Sequence, residues 1–149
     1  MLYDPDYSAT VWNHFCTPKN AGVFMVGTPG VLNGTAGARK NGRVVEFQLQ
    51  VDTDGRVADC RYRVYGCPAT IALCSLTSEK LKGGLLAAAA TYSVVKLAEQ
   101  LGLPPEKRAA AITVEDAIRS AAARYNSHLR STQAPTELIT ELKDRWPSP

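Results

Sequence analysis

The clearest regularity in the chain is the alternation over residues 44–51. Val45, Phe47, Leu49 and Val51 share one face, and Glu46, Gln48 and Gln50 share the other with Val44. Asp52-Thr53-Asp54-Gly55 is a hairpin turn signal. Residues 57–65 return as a second strand, with Ala58, Cys60, Tyr62 and Val64 inward and Asp59, Arg61 and Arg63 towards water. One apolar and one polar face predict an antiparallel sheet with a wet side. Upstream, residues 21–42 are rich in glycine and read as loop, with one short edge strand at residues 23–26. A phosphate cradle is disfavoured there, because Gly-Lys-Ser/Thr is missing and no helical pattern follows.

Elsewhere the apolar spacing is helical. Asp4-Pro5-Asp6 is an acidic start for a helix to Phe15 with Tyr7, Val11, Trp12 and Phe15 in one stripe, ended by Thr17-Pro18-Lys19-Asn20. A second helix spans residues 68–82 and stops at Gly83-Gly84. Ile71, Cys74 and Leu81 lie on its buried side, with Ser75, Ser78 and Glu79 towards solvent. Residues 85–101 carry one helix or two short ones, with Gly102 as C-cap. Leu103-Pro104-Pro105-Glu106-Lys107 reads as an exposed, extended link, since residues before proline avoid the helical region. Thr113-Val114-Glu115-Asp116 resembles a capping box and opens a helix to residue 129 bearing Ala117, Ile118, Ala121 and Tyr125. A linker at residues 131–135 leads to a last amphipathic helix at residues 136–146. The expected fold is α+β, a small antiparallel sheet of about three strands packed on one face by helices. Residues 1–130 form the domain; residues 131–149 are a C-terminal linker and short helix, packed on it or extending from it.

Composition narrows the class. At 149 residues the chain is one domain able to bury its own core. A net charge of +3 is only mildly basic, and the lysines and arginines form no block with interleaved aromatics, which argues against a nucleic-acid partner. No apolar run is long enough for a bilayer, and residues 1–6 lack the regions of a signal peptide. The expectation is a cytoplasmic protein with reduced cysteines, whose positions 16, 60, 67 and 74 match neither a disulfide framework nor a CxxC pair.

The candidate chemistry lies in Tyr65-Gly66-Cys67-Pro68. The strand ends there, a glycine allows a turn, and Pro68 suits the first helical position. Cys67 then occupies the N-cap, facing unpaired amides and the positive end of the helix dipole, which favours the nucleophilic thiolate. The plainer alternative is a small residue filling a turn. Cys74 lies seven residues on, about 10 Å along a helix axis. That is too far to share a small metal site with Cys67. Cys60 has buried parity, Cys16 ends a helix, and His14 and His128 read as helix-surface residues.

The order and spacing of several segments resemble the IscU/NifU-type scaffolds on which iron–sulfur clusters are assembled. The likeness runs over residues 7–128. It rests on Tyr7-Ser8 through His14-Phe15, on Pro18-Lys19-Asn20-Ala21-Gly22, on the hairpin with Tyr65-Gly66-Cys67, and on Glu115-Asp116-Ala117-Ile118. Leu103-Pro104-Pro105-Glu106-Lys107 is close to the family segment recognised by a DnaK-like chaperone. The resemblance implies the IscU/SufE-like fold and a non-enzymatic role as scaffold or sulfur carrier. It also implies departures. Such scaffolds use three cysteines with an aspartate and often a histidine. Here the first cysteine position is Asn41, the aspartate position is Arg43, and the last histidine and cysteine positions are Ala109 and Ala110. Only Cys67 remains, and a complete metal site within one chain is not expected. No cofactor is expected to be firmly bound; a transient iron–sulfur cluster or persulfide sulfur is what the resemblance allows. Three readings stand: partial cluster ligation by Cys67, for example across a homodimer; sulfur acceptance from a cysteine desulfurase, as in SufE-type proteins, with Arg39, Lys40 and Arg43 lowering the thiol pKa; or an adaptor that keeps the partner surfaces without the chemistry.

Overall fold

A computed structural model describes residues 7–133, with side chains as far as Tyr125. The acidic opening at Asp4-Pro5-Asp6, the expected helix at residues 136–146 and the side chain of His128 lie outside the described residues. The elements in chain order are α1 (Ala9–Cys16), β1 (Val31–Ala38), β2 (Arg43–Val51), β3 (Val57–Tyr65), α2 (Pro68–Leu81), α3 (Leu86–Ala90), α4 (Val94–Gln100) and α5 (Arg108–Gln133). Short 3-10 turns occupy Arg39–Asn41 and Pro105–Lys107. The strands form one antiparallel sheet in the order β1-β2-β3. Helices α5 and α2 cover one face of it. The other face carries cross-strand ion pairs such as Arg63–Glu46 at 2.8 Å. This is the expected α+β architecture. No helix among the described residues is long and apolar enough to cross a membrane.

The β2–β3 hairpin turns as its sequence predicts. The Asp52 carboxylate accepts the amides of Asp54 and Arg56 at 2.9 and 3.0 Å, and Gly55 takes φ +78°. One parity expectation fails. A register shift between Gln50 and Val51 brings Val57, not Ala58, into the core, while Cys60 and Tyr62 stay buried. Such a bulge inserts a residue and flips the facing of what lies beyond it.

The third strand is not at residues 23–26. That segment instead crosses the β3 edge and the polar face. Gly22 donates to the Tyr62 carbonyl at 2.9 Å, Phe24 donates its amide to Gln48, and the Arg61 guanidinium lies 5.0 Å from the Phe24 ring centre. The strand is β1, inside the run read as loop. Its glycine serves a close approach, because a Cβ on Gly34 would overlap the Ala117 carbonyl oxygen and the Ala121 amide nitrogen of α5. Here helix and strand meet backbone to backbone.

Several expectations about the helices and their connections are also corrected. Ser75 and Ser78 do not face solvent but are fully buried, because α1 and the loop after it lie across that side of α2. The Ser75 hydroxyl accepts the Lys19 amide at 2.8 Å and lies 2.7 Å from His14 Nδ1; Asn20 donates to Ser78 at 2.8 Å. His14 is accordingly half-buried rather than a surface residue. Helix α5 starts at Arg108, so Thr113 is no cap and its hydroxyl donates back to the Ala109 carbonyl at 2.9 Å. The Leu103–Lys107 stretch is not an extended, exposed link throughout: Pro105–Lys107 coil into a 3-10 turn feeding α5, and Leu103, Pro104 and Lys107 are half-buried. The helices after Gly83-Gly84 are two short ones, ended by Gly102 at φ +71°.

Replacing Gly34 by valine should cost about 1–3 kcal/mol, the usual penalty for overpacking. Urea unfolding of Gly34→Val should show a lower midpoint with the slope unchanged.

Candidate functional site: the Cys67 thiol

Three chain junctions converge at one end of the sheet. The first is the step from β3 into α2. Cys67 is the N-cap, at φ −79° and ψ 167°, and Pro68 is the first helical residue. The extended cap conformation turns the thiol across the first turn of the helix, where its sulfur lies 3.3 Å from the Thr70 hydroxyl. Gly66 contributes room rather than an unusual φ: a Cβ there would press on Thr70 Cβ and Oγ1 at 3.3 Å. The second junction is the 3-10 turn into α5, which carries Lys107 to 3.7 Å from Cys67 Sγ. The third is the residue leading into α1: buried Tyr7, whose ring centre lies 6.0 Å from the Lys107 ammonium. Cys67 itself is half-buried, open enough to be reached and enclosed enough for its neighbours to matter.

The electrostatics follow from that geometry. Partial burial pushes the Cys67 thiol up, but the Thr70 hydroxyl and amide, the Lys107 ammonium and the Ala69 amide outweigh it and hold the thiol below its ordinary value. Burial favours the neutral amine of Lys107, yet the Cys67 thiolate and the Tyr7 hydroxyl win and its pKa rises. Each group stabilises the charged form of the other. The other enclosed thiols behave oppositely. Burial drives Cys60 up to about 12 and Cys74 higher still. Cys60 donates its thiol to the Ser78 carbonyl, Cys74 is sealed in the core, and Cys16 is exposed at the end of α1.

Of the cations expected beside the thiol, Arg39 instead stacks on Tyr65, its guanidinium 5.7 Å from the ring centre, and Lys40 is exposed. The pairing Val44↔Tyr65, extended by one residue, sets half-buried Arg43 level with Gly66. Asn41 lies in the exposed β1–β2 turn. Ala109 is exposed and Ala110 buried in the first turn of α5, just after Lys107. The positions gather at the thiol end of the sheet, but without metal-binding side chains of the usual kind. Among the described residues, no three His, Cys, Asp or Glu side chains converge as a metal site. Sequence reasoning missed Lys107, Thr70 and Tyr7 as thiol neighbours. Lys107 was visible only as part of a partner-binding segment, while Thr70, three residues past an N-cap, was the one readable signal.

These features define a small α+β protein with a half-buried thiol at the junction of strand and helix, beside a hydroxyl and an ammonium group. Residues 6–132 match the family model of the NifU-like N-terminal domain. The chain is 36% identical over 128 residues to Iron-sulfur cluster assembly protein 2 of Arabidopsis thaliana, covering 86% of this chain and 78% of that one. It is 39% identical over 121 residues to the Iron-sulfur cluster assembly scaffold protein IscU of Escherichia coli K12, covering 81% of this chain and 94% of that one. The fold matches a putative iron-sulfur cluster assembly scaffold protein for the SUF system from Fervidobacterium islandicum AW-1 with a TM-score of 0.61, at 12% identity over 78% of this chain and 96% of that chain. The chain therefore belongs to the NifU-like N-terminal domain family, as an IscU/NifU-type iron–sulfur cluster assembly protein.

Across a pH series, iodoacetamide should alkylate Cys67 first, with its half-maximal rate below the ~8.5 of an unperturbed cysteine. Mass spectrometry of the peptides should show Cys60 and Cys74 unmodified until the protein unfolds. Lys107→Met should move the Cys67 profile towards higher pH, because the thiolate loses its nearest cation.

Proposed function

We propose that this family member serves cluster assembly as a sulfur acceptor working through Cys67, rather than as a self-sufficient three-cysteine scaffold. The observation that carries the reading is the environment of that sulfur. A cation, a hydroxyl and helix amides favour its thiolate, while the family's other ligand positions hold Asn41, Arg43, Ala109 and Ala110. A cluster needs several thiolates at once; sulfur transfer needs one. In the transfer, the Cys67 thiolate attacks the outer sulfur of a persulfide on a cysteine desulfurase. A new S–S bond forms at Cys67, the donor's S–S bond breaks, and the donor cysteine leaves as thiolate. No net oxidation occurs, and the chain acts as carrier rather than enzyme. Any cluster on this chain is cargo held transiently, with the missing ligands supplied from outside, for example by Cys67 of a second copy in a homodimer. A DnaK-like chaperone is the candidate partner for Leu103-Pro104-Pro105-Glu106-Lys107, where Pro105 and Glu106 are exposed.

The adaptor reading is favoured by one observation: the ligand positions are emptied while the fold and that segment are kept. Incubation with a cysteine desulfurase and cysteine separates the two. Sulfur transfer predicts a gain of one sulfur atom at Cys67, absent in Cys67→Ser; a chain that stays unmodified while still binding the desulfurase is an adaptor.

The ligand positions can be tested by restoring them. Combining Asn41→Cys, Arg43→Asp and Ala110→Cys should raise the zinc content of the purified chain to about one per molecule, since Cys67 then has three partners. Unchanged metal content on a folded variant would show that these positions do not converge on Cys67.

A further inference from the structure

The sides of the Cys67 sulfur are unequal. One is apolar: the residue packs against a buried cluster that includes Tyr7, Val11 and Ala69, with Trp12 and Leu103 against the same cluster. Another carries a full charge, the Lys107 ammonium at 3.7 Å. The backbone under that lysine is set by the 3-10 turn Pro105–Lys107, which Pro104 precedes. A turn fixes the root of a lysine but not its charge, which rides on a flexible four-carbon stem.

The charge is located by Tyr7. Its ring centre lies 6.0 Å from the ammonium, and its hydroxyl favours the charged amine. Tyr7 is itself buried, and its ring meets Trp12 edge-on with the centres 5.9 Å apart. A ring packed in this way does not follow the lysine out to solvent.

What a located cation offers this sulfur follows from the charges in the transfer. A hydropersulfide is more acidic than its thiol, so the terminal sulfur of the donor arrives ionised. The attacking sulfur is ionised too. Two negative charges enter, and the S–S bond passes from the donor cysteine to Cys67. Two negative charges leave, the persulfide anion on Cys67 and the donor thiolate. No proton or electron is taken from elsewhere. Like charges at about 4 Å repel enough, even in water, to slow such an encounter about fivefold.

We propose that Lys107, held in place by Tyr7, makes Cys67 selective for anionic sulfur donors. Lys107 is the specificity-determining residue, because its ammonium faces the charge that the donor brings. Tyr7 is a positioning residue that acts through Lys107. This selectivity rests on the sulfur-acceptor reading for its natural donor, while its test needs no donor at all.

Two alkylating reagents of nearly the same size read the selectivity: iodoacetate is negatively charged and iodoacetamide is neutral. Both attack the thiolate, so the ratio of their rates at one pH cancels the fraction of Cys67 that is ionised. Lys107→Met should lower the iodoacetate-to-iodoacetamide ratio at Cys67 about fivefold, and Lys107→Arg should keep it. Tyr7→Leu should lower it about threefold, and Tyr7→Phe, which keeps the ring, should recover most of that loss. Circular dichroism matching the parent's shows that each variant is folded. A ratio unmoved by Lys107→Met would overturn the selectivity, and a ratio unmoved in both Tyr7 variants would overturn the positioning role. A ratio that falls as expected in a chain that takes up no sulfur from a desulfurase would sink the acceptor reading alone.

Discussion

Helix α2 has α1 across one side, the sheet and α5 across others, and α4 against it as well, so that ten of its fourteen residues are buried. Four of those ten are Thr70, Ser75, Thr77 and Ser78, which a helix on a protein surface would turn outward. Ser75 and Ser78 are satisfied by His14, Lys19 and Asn20, the end of α1 and the loop beyond it. Each such bond adds only about 0.5–1.5 kcal/mol, but leaving a buried hydroxyl unpaired costs about 1–3 kcal/mol, so the contacts specify how α1 lies. That placement brings Tyr7 to Lys107, which the turn into α5 sets beside Cys67. One neighbour of the thiol's cation at one end of α2 is therefore positioned by hydroxyls two and three turns further along.

The hairpin, the cap at Cys67 and the existence of the major helices could be read directly from the chain, because each has a local cause: alternation, an aspartate-glycine turn, proline after an N-cap. What escaped reading was decided by distant partners. The β1 strand hides among glycines because Gly34, on its inner face, meets helix backbone rather than side chains, which breaks the apolar alternation begun by Leu32. Ser75 and Ser78 looked solvent-facing because serine usually is; their partners lie about sixty residues earlier in sequence. The parity of Val57 was lost to a bulge that no single residue announces.

At the site, the cysteine was legible and its neighbours were not. Arg39, Lys40 and Arg43 were the cations nearest in the family's ligand pattern, yet Arg39 turns to the Tyr65 ring and the ammonium at the sulfur comes from Lys107. A resemblance does not carry over which long side chain reaches the sulfur. Lysine and arginine stems span several ångströms, and their direction is settled by the aromatic rings and carboxylates they meet.

The Gly34 contact has a consequence for how such a chain can change. Where strand and helix touch through backbone alone, every substitution adds atoms and none removes them, so variation there runs in one costly direction. Asn41 and Ala109 are the opposite: exposed, in a turn and in a first helical turn, and outside the core. Residues at those positions can be exchanged with little effect on folding, so the chemistry of this protein can drift while its architecture stays put. A domain arranged in this way can lose one occupation and keep its shape for another.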